Sequence, residues 1–200
     1  MQTMTTLGDV EPYQQITNYS CGAATLKAVF KHWGDDVDEP VLMREIGVSP
    51  KSGSTAFQVA RAARRRSYLA QEKQFTSIDE LAEYTNQDVP VIIAIRSFKT
   101  PNQGHFVVAT KVRGMNGPIE IMDPNVRGNR RTVSRAELDS RWQFRDRVGV
   151  VVVPRRAKTQ SQFGAAMTTR QKSWLLGAAI GFAVSVAAVG GVIYWRRRSR

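Results

Sequence analysis

"QQITNYSCGAATL", residues 14–26, decides how this chain reads. It contains the sole cysteine, Cys21. A polar run stops there, and Gly22 and Ala23 lead into an apolar-periodic segment. Ala23, Leu26, Phe30 and Trp33 recur at helical spacing, and Gly34 suits the position that ends a helix. The spacing predicts a helix over 23–33 with Cys21 at its entrance. A helix N-terminus presents unpaired N–H groups and a partial positive charge, and both favour a thiolate. Cys21 is therefore either a nucleophile or a small apolar residue tucked into a core.

One cysteine excludes an intramolecular disulfide framework and a multi-cysteine metal site. Two hundred residues suffice for one domain with a sizeable core. The net charge of +12 suggests nucleic acid until it is mapped. No acidic residue follows Asp146, and residues 155–200 hold nine of the 29 basic ones. The remaining 20 basic against 17 acidic residues leave about +3 on residues 1–154, so no nucleic-acid partner is expected.

The tail has its own reading. Trp174 to Trp195 is a run of 22 residues without a charge. As a helix it would span about 33 Å, the thickness of a bilayer core. Trp174, Tyr194 and Trp195 read as interface anchors, and "RQK" and "RRRSR" as flanking cations. The N-terminus "MQTMTTLGDVEPYQQ" has no apolar stretch of signal-peptide type. These features predict a domain over 1–154, a polar basic linker over 155–172, a single transmembrane helix over 173–195 and a basic tail over 196–200. The linker would span roughly 25 Å root-mean-square. The expected arrangement is a C-terminal membrane anchor with the domain facing the cytoplasm. Gly177, Gly181 and Ser185 form a small-residue stripe that suits a homodimer.

Within residues 1–154, helices come first and strands later. "STAFQVARAARRRS" opens with a capping box, Thr55 with Gln58, and "SIDELAEYTNQ" is a short amphipathic helix. Arg64, Arg65 and Arg66 read as a solvated helix end, and Trp142 as core. "VPVIIAI", "HFVVATKV", "PIEIMD" and "GVVVVP" are short, rich in Val and Ile, and bounded by turn residues. This order implies an α+β fold, with N-terminal helices packed on a C-terminal antiparallel sheet.

A cysteine nucleophile needs a base, and His is the usual one. His32 lies about 16 Å along the predicted helix from Cys21, beyond reach. His105, which opens the strand "HFVVATKV", is the remaining imidazole. Asp123 ends the next strand, and in an antiparallel hairpin that end lies beside the start of the first. Glu120 falls on the opposite face. An oxyanion donor could be the amide of Gln15 or Gln14, and spacing alone does not separate them.

Gln-x5-Cys-Gly at a helix start, then "GHFVV", then a strand ending in "DP", resembles the bacteriocin-processing (double-glycine leader) cysteine peptidases. The resemblance covers residues 10–153. "GVSPKSGSTAFQVARAARRRS", "VPVII" and "SRAELDSRW" add softer matches. It implies a papain-like fold with Cys21 as nucleophile, His105 as base, Asp123 as orienter and Gln15 as oxyanion donor. It further implies a peptide or protein substrate, cleavage after small residues such as Gly-Gly, and no cofactor. The chain departs from the family pattern in having no P-loop and in carrying Gly53-Ser54-Thr55 where the family has Gly-Thr-Ser. A silent peptide-binding domain and a Cys-His amidase or transferase are the alternative readings.

Overall fold

The computed structural model describes residues 10–155, apart from 115, 127 and 129. The linker beyond Arg155, the segment 173–195, the basic tail and the stripe of Gly177, Gly181 and Ser185 lie outside the described residues. Among the described residues, no helix is long and apolar enough to cross a membrane.

Five helices and six strands are described. They are α1 (Cys21–His32), α2 (Glu39–Ile46), α3 (Ala56–Arg65), β1 (Tyr68–Gln74), α4 (Ile78–Thr85), β2 (Val91–Arg96), β3 (Gly104–Val112), β4 (Ile119–Met122), β5 (Arg130–Val133), α5 (Arg135–Gln143) and β6 (Val148–Pro154). The strands form one sheet in the order β1-β6-β2-β3-β4-β5, antiparallel throughout. An α+β domain with an antiparallel sheet is the observed architecture.

Strand alternation gives the sheet two apolar faces. Ile92, Phe106, Val108, Met122, Val150 and Val152 share a core with α1, α2 and α3. The other face meets α4 and α5, where the Phe75 ring lies 5.7 Å from Tyr84 and 5.2 Å from Trp142, centroid to centroid. Gly149 makes room for that ring. A Cβ there would sit 2.9 Å from Phe75 Cε2 and 3.0 Å from the Ile92 carbonyl oxygen. Helix α1 is fixed by Leu26, Val29 and Phe30, all fully buried. Each such side chain contributes about 1.5–3 kcal/mol by leaving water, which anchors the helix entrance at Cys21.

Three elements escape the sequence reading. Strands β1 ("YLAQEKQ") and β5 ("RRTV") are the two edges of the sheet and carry charged residues that discourage further pairing. Their polar composition hides them from a search for Val/Ile runs. Helix α2 is eight residues long with Pro40 in its first turn, too short for a clear period. Helix α1 starts at Cys21 and ends at His32, two residues earlier and one residue earlier than the spacing predicts. Gly34 has φ +91° and donates its N–H to the Lys31 carbonyl, the left-handed helix stop.

The arginine run is not a freely solvated helix end. Arg64 donates to the Ala70 carbonyl at 2.8 Å, and Arg66 makes a two-pronged contact with Glu45 at 2.6 and 2.7 Å. Trp142 is fully buried, and its indole N–H donates to the Val148 carbonyl at 2.9 Å. His32 sits 3.2 Å from the Asp88 carbonyl oxygen through Nε2.

Candidate active site

The β3–β4 register builds the first half of the site. Met122 stands across from Val108, so Asp123 continues the ladder opposite Val107. His105 is then one diagonal step away, a distance side chains bridge. His105 Nε2 and Asp123 Oδ1 are 2.7 Å apart, and both residues are buried. The same Oδ1 accepts the Asn125 N–H at 3.0 Å, while Oδ2 faces Arg131 Nε at 3.5 Å.

Helix α1 brings the second half. Cys21 is its first residue and is half-buried. Ser20 makes no side-chain cap and its carbonyl takes the Ala23 N–H, so no Ser20 oxygen consumes the Cys21 and Gly22 N–H groups. Burial would raise the Cys21 thiol pKa. The hydrogen bond and positive charge of His105 outweigh it, aided by backbone N–H groups of Phe106 and Gly22, and hold the thiol below its ordinary value. Asp123 occupies Nε2, so Nδ1 is the ring nitrogen left for the sulfur.

His105 shows the complementary shift. Burial favours the neutral ring, but the Asp123 hydrogen bond and the Cys21 contact push its pKa up to about 9. Burial raises the Asp123 carboxyl, and His105, the Asn125 N–H and Arg131 together bring it below the usual carboxylate range. All three directions describe a thiolate–imidazolium pair backed by a carboxylate.

Gly22 explains why Cys is followed by Gly. A Cβ at this position would collide with the Ser54 hydroxyl and lie 3.2 Å from Val59 and 3.3 Å from Phe106. The close approach of α1 to β3 brings sulfur and imidazole together.

Gln15 lines the cleft beside Cys21, whereas Gln14 is exposed outside it. The Gln15 backbone N–H donates to the Pro124 carbonyl at 3.0 Å, which ties this loop to the Asp123 turn. Its side-chain nitrogen donates to the Thr17 carbonyl at 2.6 Å, leaving a second N–H on the same atom. Its Oε1 is buried without a hydrogen-bond partner among the described residues.

Glu39, a buried carboxylate from α2, pins this loop. It accepts the Ile16 N–H at 3.2 Å and hydrogen-bonds Tyr13. Burial and Glu39 together push the Tyr13 phenol up to about 12. Sequence reasoning missed Glu39 because it missed α2, and missed Arg131 because it missed β5. Glu120, set aside for facing the wrong way, pairs with Arg113 away from the His105–Asp123 contact.

The cleft has a volume of about 740 Å³. One wall is the turn before α3, closed by paired backbone bonds between Ser49 and Gly53 and followed by the Thr55–Gln58 capping box. The other wall is the loop before β3 and the turn after α5. Among the described residues, no group of His, Cys, Asp and Glu is arranged to hold a metal ion. The arrangement can deliver a thiolate to a carbonyl and return a proton to a leaving group.

A sequence profile of the peptidase C39 family matches residues 9–156. This chain belongs to the peptidase C39 family. Solved C39 domains share the fold. The peptidase domain of Streptococcus ComA, a bifunctional ABC transporter of a quorum-sensing pathway, aligns with TM-score 0.62 and 21% identity over 73% of this chain and 99% of that one. A double-glycine-motif protease from an AMS/PCAT transporter, in complex with a leader peptide, aligns with TM-score 0.57 and 23% identity over 74% and 93%. A C39-like peptidase from Bacillus anthracis aligns with TM-score 0.62 and 18% identity over 76% and 98%. No curated protein matches the chain.

Proposed function

We propose that this C39 domain is an active cysteine peptidase that cleaves peptide bonds by acyl transfer at Cys21. The observation that carries this reading is the buried His105–Asp123 pair at 2.7 Å, in one cleft with Cys21 at a helix entrance and hydrogen-bonded to it.

In the proposed reaction the Cys21 thiolate attacks the scissile carbonyl carbon. A C–S bond forms, and the carbonyl electrons move to oxygen. The Cys21 backbone N–H and the free Gln15 amide proton stabilise that oxyanion. His105 gives its proton to the leaving nitrogen as the C–N bond breaks. The neutral imidazole then takes a proton from water, the hydroxide attacks the thioester, and the thiolate leaves. Asp123 keeps the ring oriented and stabilises its charged form throughout.

The related double-glycine-motif protease supports a preference for small residues, such as Gly-Gly, before the cut. Peptides with Gly-Gly or Leu-Leu at that position, incubated with the full chain, test both points. The reading expects cleavage after Gly-Gly, little after Leu-Leu, and none by Cys21→Ala. Equal turnover of both peptides removes the preference, and cleavage that survives Cys21→Ala removes the mechanism.

Residues 173–195 are proposed as a single membrane span that holds the domain at the cytoplasmic face. The support is the uncharged run Trp174–Trp195 between basic flanks. Protease added to the cytoplasmic side of sealed vesicles should digest the domain. Digestion only from the other side reverses the proposed orientation.

A further inference from the structure

The turn after α5, beside the cleft, has a constrained backbone. Asp146 and Arg147 have φ of +51° and +49°, two consecutive non-glycine residues in the left-handed region. That conformation is unfavourable for them and persists only where the surroundings over-determine it. Here they do. Arg147 grips Asp139 with nitrogen–oxygen distances of 2.8 and 3.1 Å. Its carbonyl accepts the Phe75 N–H at 3.0 Å. The Val148 N–H donates to the Arg145 carbonyl at 2.9 Å, and Trp142 holds the Val148 carbonyl.

The strained turn delivers Arg145 to the cleft. Its guanidinium lies over Gly104, the residue before His105. A Cβ on Gly104 would sit 2.8 Å from the guanidinium carbon, so the glycine admits the arginine. Phe144, half-exposed at the cleft rim, has the Arg145 guanidinium 5.3 Å from its ring centre and Arg96 at 4.5 Å. The neighbouring Arg141 and Arg147 are paired with Glu137 and Asp139. No ion pair of the described residues uses Arg145. Glu72 and Asp146 also line the cleft, and neither is paired with it. Lys51 is the other lysine or arginine in the lining.

We propose that Arg145 is a specificity-determining residue that pairs with an acidic side chain of the substrate close to the scissile bond. This rests on the peptidase reading and adds a charge requirement to it. A guanidinium fork matches a carboxylate in two-pronged fashion, and its stack on Phe144 limits the freedom lost on pairing. A strained, braced turn that ends in an unpaired cation over the catalytic strand has no other partner in the described domain.

The test uses the full chain and peptides centred on Gly-Gly. Each carries Glu, Gln or Lys at one position on either side. At low salt the wild type is expected to favour Glu over Gln by roughly tenfold in kcat/KM at one position, and to reject Lys there. Added salt should shrink the ratio, because Arg145 is exposed. Arg145→Gln and Gly104→Ala should bring the ratio near one, and Arg145→Glu should turn it toward Lys. Fluorescence polarisation with the Cys21→Ala chain measures the same preference without chemistry. A Glu preference in binding without cleavage by the wild type keeps this inference and removes the peptidase reading. Cleavage without a Glu preference at any position does the reverse. A Glu preference that survives Arg145→Glu also overturns it.

Discussion

Replacing Asp123 by Asn tests what holds the imidazolium. The swap keeps shape and removes one charge. The lost contact is a 2.7 Å hydrogen bond between two buried groups. Hydrogen bonds to a charged partner contribute about 1.5–3 kcal/mol, and one pKa unit corresponds to 1.36 kcal/mol. His105 should therefore drop by about one to two units from its value of about 9. The ratio of thiolate–imidazolium to neutral thiol–imidazole falls by the same factor, roughly ten- to a hundredfold. Alkylation of the full chain by iodoacetamide reads this out, because Cys21 is the sole thiol. The rate near neutral pH should fall toward that of an ordinary buried thiol. The step at which the imidazolium loses its proton should move to lower pH. The Asp123→Asn change also leaves Arg131 without its carboxylate, so the double variant with Arg131→Gln separates the orphaned cation from the lost anion. A single-variant profile superimposable on the wild type from about pH 5 to 10 would mean that Asp123 does not hold the imidazolium.

Three further outcomes follow from the geometry. The raised His105 value gives stability that is fully present below about 6.5, the ordinary imidazole value, and lost as pH rises through about 9. The urea midpoint difference between wild type and His105→Ala should shrink across that window, and a constant difference contradicts the linkage. Gly22→Ala should destabilise the domain by about 1–3 kcal/mol through overpacking and slow Cys21 alkylation. Adding Ser54→Ala, which removes an unpartnered buried hydroxyl, should restore part of both, and no restoration would show that Val59 and Phe106 set the limit. Glu39→Gln should lower the Tyr13 phenol from about 12 toward its ordinary 10, read by ultraviolet titration; an unmoved value would mean that burial and the charges of Asp38 and Asp36 set it.

The parts that could be read from sequence are those whose local signal matches their tertiary role. Helix α1 announces itself by apolar period, α3 by the Thr55–Gln58 box, and β2, β3 and β6 by buried Val and Ile on both faces. The hairpin argument places Asp123 near His105 because register follows from strand alternation. What stayed hidden depends on distant context. Edge strands β1 and β5 look polar because one side meets solvent. Spacing alone leaves Gln15 and Gln14 open and the family resemblance selects Gln15; the backbone bond to Pro124, far along the chain, ties Gln15 into the cleft wall. Glu39 braces the Ile16 loop from α2 and Arg145 reaches the cleft from a strained turn, and neither carries a motif.

Cys21 is expected to be a thiolate in the folded chain because His105 is charged. Far-ultraviolet thiolate absorbance at pH 6, taken as wild type minus Cys21→Ala, measures it on a single sulfur. The expected result is a clear thiolate band that disappears in His105→Ala. Absence of the band in the wild type, or its survival without His105, would mean that His105 does not hold Cys21 as a thiolate.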